Sequence, residues 1–132
     1  MTTRFARASL VALLITLGFT APAHASASAG ATAAAATTCY GGAVTVRYGD
    51  VLDFGPYWTT SRCQDINMRV TGGTSEYVNA CVKFAKTGTC NHWTKVGRSW
   101  TTIATDVLDS TKFTVPNGVP LEGDDAVMQI AF

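Results

Sequence analysis

Residues 77–100 read Y-V-N-A-C-V-K-F-A-K-T-G-T-C-N-H-W-T-K-V-G-R-S-W. Val78, Ala80, Val82 and Phe84 fall on one side of a period-two pattern, with Tyr77, Asn79, Cys81 and Lys83 on the other. Such alternation marks a half-buried strand. A polar run, Ala85-Lys86-Thr87-Gly88-Thr89, then turns the chain to Cys90, and a second limb carries Trp93 and Trp100 away. The segment predicts a β-hairpin closed by a Cys81–Cys90 disulfide, with Cys81 on the face turned from the core.

The same periodicity recurs on both sides. Upstream, Val44, Val46 and Tyr48 alternate with Thr45 and Arg47, and Ile66, Met68 and Val70 alternate with Asn67 and Arg69. Gly55-Pro56 interrupts the pattern between them, which puts Tyr57-Trp58 in a loop or on a sheet edge. Downstream, Thr101, Ile103, Thr105 and Val107 alternate, Lys112 to Val115 is β-branched and aromatic, and Met128, Ile130 and Phe132 share a face. Pro116-Asn117-Gly118 carries turn chemistry. No segment has helical periodicity of normal length. The expectation is an all-β fold, a small antiparallel β-sandwich or barrel of six to eight strands, with Phe132 in its core.

The first 38 of the 132 residues read differently. Arg4 and Arg7 precede an apolar run and then Ala23-His24-Ala25, the parts of a secretory signal peptide over residues 1–25. That run is about half the ~20 residues a membrane span needs. Residues 26–38 are Ala, Ser, Thr and Gly with no large apolar side chain, so a disordered leader is expected there. A single domain then occupies residues 39–132. The chain reads as a secreted, extracellular monomer with no membrane association after cleavage.

All four cysteines, Cys39, Cys63, Cys81 and Cys90, lie in that domain, and an even count in a small exported chain reads as two disulfides. Pairing Cys81 with Cys90 encloses eight residues, and pairing Cys39 with Cys63 encloses 23. Crossed pairings would need four strand ends to meet at one corner, so the sequential pairing is preferred. Zinc is disfavoured, since no C-x-x-C spacing occurs.

Charge excludes one class of partner. Without Arg4 and Arg7, eight Lys plus Arg remain against nine Asp plus Glu, a balance near −1. Nothing there favours nucleic acid or an anionic membrane. The residues offer little to catalysis either. His92 is the one histidine after the leader, and neither a G-x-S-x-G elbow nor an H-E-x-x-H signature is present. The acids cluster at turns, and Glu122, Asp124 and Asp125 lack the spacing of a calcium loop. No catalytic residue, metal ligand or cofactor is assigned, and the chain is read as a non-enzyme.

Aromatics carry the functional reading. An exposed Trp or Tyr offers a flat apolar face to a sugar ring or a partner's pocket. Tyr57 and Trp58 are the pair expected to stay exposed. Trp93 is a further candidate, although Trp93 and Trp100 are both the size of residue that fills a small core. Lys86, on a loop held by a disulfide, is the candidate for contact with a trypsin-like pocket, because a rigid loop loses less entropy on binding. A secreted binding module using exposed aromatics is therefore the leading expectation, with carbohydrate or a cell-surface ligand as its target. An inhibitor of an extracellular hydrolase, acting through the Cys81–Cys90 loop, is the alternative.

The segments T-T-S-R-C-Q-D-I-N (59–67), C-N-H-W (90–93) and S-W-T-T-I-A-T-D-V-L-D-S-T-K-F-T-V (99–115) resemble small secreted proteins of actinobacteria. The resemblance implies export and a compact two-disulfide domain, and it brings no active site with it. The enediyne-carrier apoproteins share the size and the apolar last strand. Their disulfides close short local loops, unlike the interval from Cys39 to Cys63, and no motif is shared.

Overall fold

The computed structural model describes residues 36–117 and 119–132. The signal peptide read over 1–25, and the leader as far as residue 35, lie outside the described residues. A single 3-10 turn, Tyr40–Gly42, precedes ten strands: β1 Val44–Arg47, β2 Asp53–Trp58, β3 Ile66–Gly72, β4 Val78–Ala80, β5 Lys83–Phe84, β6 Thr94–Val96, β7 Thr101–Ala104, β8 Lys112–Pro116, β9 Val119–Pro120 and β10 Val127–Ala131. Eight of them are three residues or longer, and β5 and β9 have two each. They form three antiparallel sheets in the orders β1-β10-β3-β7, β2-β8-β5 and β6-β4-β9, in a sandwich-like, all-β arrangement.

Alternation sends one side of each sheet inward. Met68, Val70, Met128 and Ile130 come from the four-stranded sheet, Phe54, Phe113 and Val115 from the second, and Val78, Ala80 and Val96 from the third. All belong to one core cluster, which Phe132 joins as expected. Its ring lies 4.9 Å from Tyr57 and 5.2 Å edge-on to Phe113, and its carbonyl accepts a hydrogen bond from the Thr60 hydroxyl.

Both disulfides of the sequential pairing are present, Cys39–Cys63 and Cys81–Cys90. The hairpin also forms, with Val78 opposite Val96 and Ala80 opposite Thr94. One feature of the sequence reading is corrected. The run from Val78 to Phe84 is two strands in two different sheets, and Ala80, Cys81 and Val82 are all buried. The chain changes sheets in the interior, so protein covers both faces of Cys81. The Cys81 half of the disulfide therefore sits inside the core, not outside it.

Asn91 repairs this break. Its side-chain carbonyl accepts from the Val82 amide at 2.9 Å, and its own amide donates to the Val82 carbonyl at 2.9 Å. Its side-chain nitrogen donates to the Ile103 carbonyl at 2.8 Å. One asparagine thus does for the crossover what a neighbouring strand does elsewhere.

Candidate functional site

The second sheet exposes its outer side. In β2, Phe54 faces Val115 and Tyr57 faces Phe113, so three residue steps on β2 match two on β8. The extra residue at Gly55-Pro56 makes a bulge, and a bulge reverses the phase of alternation. Tyr57 therefore turns inward with Phe54, and Trp58 turns outward. The Gly-Pro interruption lies within an edge strand, the second of the two placements the sequence allowed.

Trp58 is 53% exposed and stands opposite Lys112 of β8, whose Nζ lies 5.4 Å from the ring centroid. On the same side the Asp53 carboxylate meets the Lys83 ammonium at 2.6 Å, bridging β2 and β5 across the intervening β8. Asp53, Pro56, Lys83, Gly88, Lys112 and Thr114 line a cavity of about 160 Å³ beside the tryptophan's cationic neighbour. The Thr114 hydroxyl has no hydrogen-bond partner. The face thus sets a flat apolar ring beside the Lys112 ammonium, with the Asp53–Lys83 ion pair farther along the same side and the Thr114 hydroxyl buried beneath it. Stacking with flanking hydrogen bonds is what such a face can offer a ligand.

The sequence-derived candidates divide around this site. Trp58 is on it. Lys86 is exposed at the tip of the loop whose Ala85 and Gly88 form part of the cavity rim. Within the tip, the Thr87 and Gly88 amides donate to the Phe84 carbonyl at 3.1 and 2.8 Å, and the Thr87 hydroxyl donates to the Phe84 and Thr89 carbonyls at 3.3 and 3.5 Å. Tyr57 is turned away, against Phe113 and Phe132, and burial raises its phenol pKa above the usual 10.0. Trp93 is 56% exposed but lies just before β6, in another sheet, and no ring contact joins it to Trp58.

Trp93 and Trp100, both of a size to fill a small core, lie outside the core cluster. Val96 points inward opposite Val78, so the parity of β6 turns Lys95 and Trp93 outward. Trp100 is half-buried and stacks on Tyr40 at 4.6 Å, with the Arg69 guanidinium 4.6 Å from its centroid. Arg69 in turn donates twice to the Gln129 side-chain carbonyl, at 3.0 and 2.8 Å. This second aromatic cluster already occupies itself. The acidic turn is likewise engaged, Asp124 by the Thr74 hydroxyl and Asp125 by Arg47. His92 is exposed.

Lys112 and the Asp53–Lys83 pair escaped the sequence reading. Their signal is cross-strand register, and no spacing within one segment encodes that. A scan against protein-family models, a search of curated proteins and a search of solved structures each returned no match. The functional reading therefore rests on the site's own chemistry.

Proposed function

We propose that the protein is a secreted binding module whose Trp58 face holds a saccharide, as part of a polysaccharide or a glycan-bearing cell surface. The observation that carries this is Trp58 itself, half-exposed on a braced edge strand with Lys112, Lys83 and Asp53 on the same side. Sugar rings present an apolar face of axial C–H groups and a rim of hydroxyls, and this surface answers both. Two disulfides suit an oxidising, extracellular setting.

The test is a titration of intrinsic tryptophan fluorescence with cell-wall and plant polysaccharides. The expected result is a saturable shift that Trp58→Ala removes, weakening affinity at least about tenfold while the circular dichroism spectrum is unchanged. If no polysaccharide shifts the emission, the reading fails. The Lys86 loop supports a second reading, inhibition of a trypsin-like hydrolase, because its base is closed by the Cys81–Cys90 disulfide and its tip is exposed. Unchanged trypsin inhibition in Lys86→Ala, or none in the native protein, would remove that reading.

A further inference from the structure

A second loop is braced more thoroughly than the Lys86 loop. Leu108 is 80% exposed in loop 105–111. Its carbonyl accepts hydrogen bonds from the Thr59 hydroxyl at 2.6 Å and the Thr111 hydroxyl at 2.7 Å. Thr59 is 4% exposed; its hydroxyl accepts from the Thr111 amide and its carbonyl from the Ser110 amide, both at 2.9 Å. On the other limb the Val107 amide donates to the Gln64 carbonyl, and the Asp106 amide to the Asp65 carboxylate, again both at 2.9 Å. The Gln64 side chain donates to the Asp106 carboxylate at 2.9 Å. Loop 59–65, which supplies these partners, is itself fastened by Cys39–Cys63.

Backbone conformation marks the same segment. Asp106 (φ 50°) and Ser110 (φ 60°) are the two non-glycine residues with positive φ among the described residues, and they flank Val107-Leu108-Asp109 on either side. Side chains other than glycine adopt that region at a cost, and such strain gathers where a surface has a task. Leu108 also lines a cleft on each side. One, of about 520 Å³, includes Ser61 and Gln64, and the other, of about 310 Å³, includes Phe84 and Lys86. The result is a rigid ridge between two grooves, with an aliphatic side chain on its crest.

We infer that this ridge docks into the active-site cleft of an extracellular endopeptidase, with Leu108 entering a subsite that accepts aliphatic side chains. The ridge is convex, so its partner is concave, and walls beside the partner's subsite have grooves to enter. Pre-organisation of the loop lowers the entropy lost on docking. A leucine on a free extracellular loop is a cleavage site for such enzymes. Here the Leu108 carbonyl is held inward by two hydroxyls, away from any nucleophile, so the crest is presented without being offered as a scissile bond. This inference is independent of the Trp58 face and uses a different loop from Lys86.

Chymotrypsin and subtilisin, assayed with short chromogenic substrates, are the probes. The disulfide-intact protein is expected to inhibit one or both and to remain uncleaved by mass spectrometry. Leu108→Asp, at an exposed position, is expected to weaken inhibition at least about tenfold with an unchanged circular dichroism spectrum. Leu52→Asp, at a 91% exposed position that lines neither cleft, is expected to stay within about twofold of the native protein. Thr59→Val combined with Thr111→Val, which removes both hydroxyls that hold the Leu108 carbonyl, is expected to turn the protein into a substrate cut after residue 108. The inference is overturned by equal inhibition from Leu108→Asp, by cleavage of the native protein after Leu108, or by no inhibition of either enzyme. Leu108-dependent dimerisation without inhibition would give the ridge to a second copy of the chain and likewise overturn it.

Discussion

Asn91 is the residue on which the break in the hairpin depends. Asn91→Ala leaves the amide of buried Val82 and the carbonyl of buried Ile103 without partners. Each orphaned group costs about 1–3 kcal/mol, so denaturant unfolding is expected to show a loss of about 2–6 kcal/mol. Asn91→Asp keeps the acceptor for Val82 but sets a carboxylate oxygen against the Ile103 carbonyl, so it should destabilise as well. Phe132→Ala, which removes the ring packed on Tyr57 and Phe113, should cost about 3 kcal/mol in the same assay. Tyr57 adds a pH dependence. Burial favours its neutral phenol and raises the folded pKa above the unfolded 10.0. Its contribution to stability is therefore complete below pH 10 and is lost as pH climbs through the folded value. Tyr57→Phe is expected to flatten that alkaline loss, and phenolate absorbance should show Tyr57 ionising above the ordinary tyrosine range.

At the scale of elements, turns and staples decide register. Gly73 (φ 89°) follows β3, and a Cβ there would stand 2.6 Å from the Asp125 carbonyl oxygen, whereas one at Gly49 (φ 87°) would meet nothing within 4 Å. Gly49→Ala should cost about 1 kcal/mol of backbone strain alone. Gly73→Ala should add about 1–3 kcal/mol of overlap, a contrast that paired thermal melts would reveal. The disulfides enclose loops of unequal length, with sequence separations of 24 and 9. Each has one buried sulfur partner, Cys63 or Cys81. Replacing Cys39 and Cys63 by Ala should therefore cost more than replacing Cys81 and Cys90, by roughly 0.8 kcal/mol from loop closure. Much at this scale was legible in sequence, because Ile66-Met68-Val70 and Met128-Ile130-Phe132 alternate cleanly and each lies along one inward face. The strand through Cys81 was not, because Val78 and Phe84 keep the same parity whether the chain runs straight or changes sheets. Trp58 was legible as exposed, and Tyr57 was not as turned inward and half-buried, because a bulge at Gly55-Pro56 has no signature in alternation. Lys112 and the Leu108 ridge depend on which segments meet across the fold, and hydroxyls such as that of Thr59 announce no partner in advance.

Across the whole molecule, three sheets share one core, so none can open without exposing the apolar faces of the others. Unfolding with disulfides intact is expected to be a single transition, with tryptophan fluorescence and far-ultraviolet circular dichroism superimposing. The Trp58 face and the Leu108 ridge would then stay in fixed relation until the fold is lost. The crossover bound by Asn91 gives that unity a clock. Asparagine is among the chemically labile residues, and an amide that hydrolyses becomes a carboxyl that no longer donates to Ile103. Hydrolysis at this one nitrogen would loosen the joint between two sheets while leaving every strand intact.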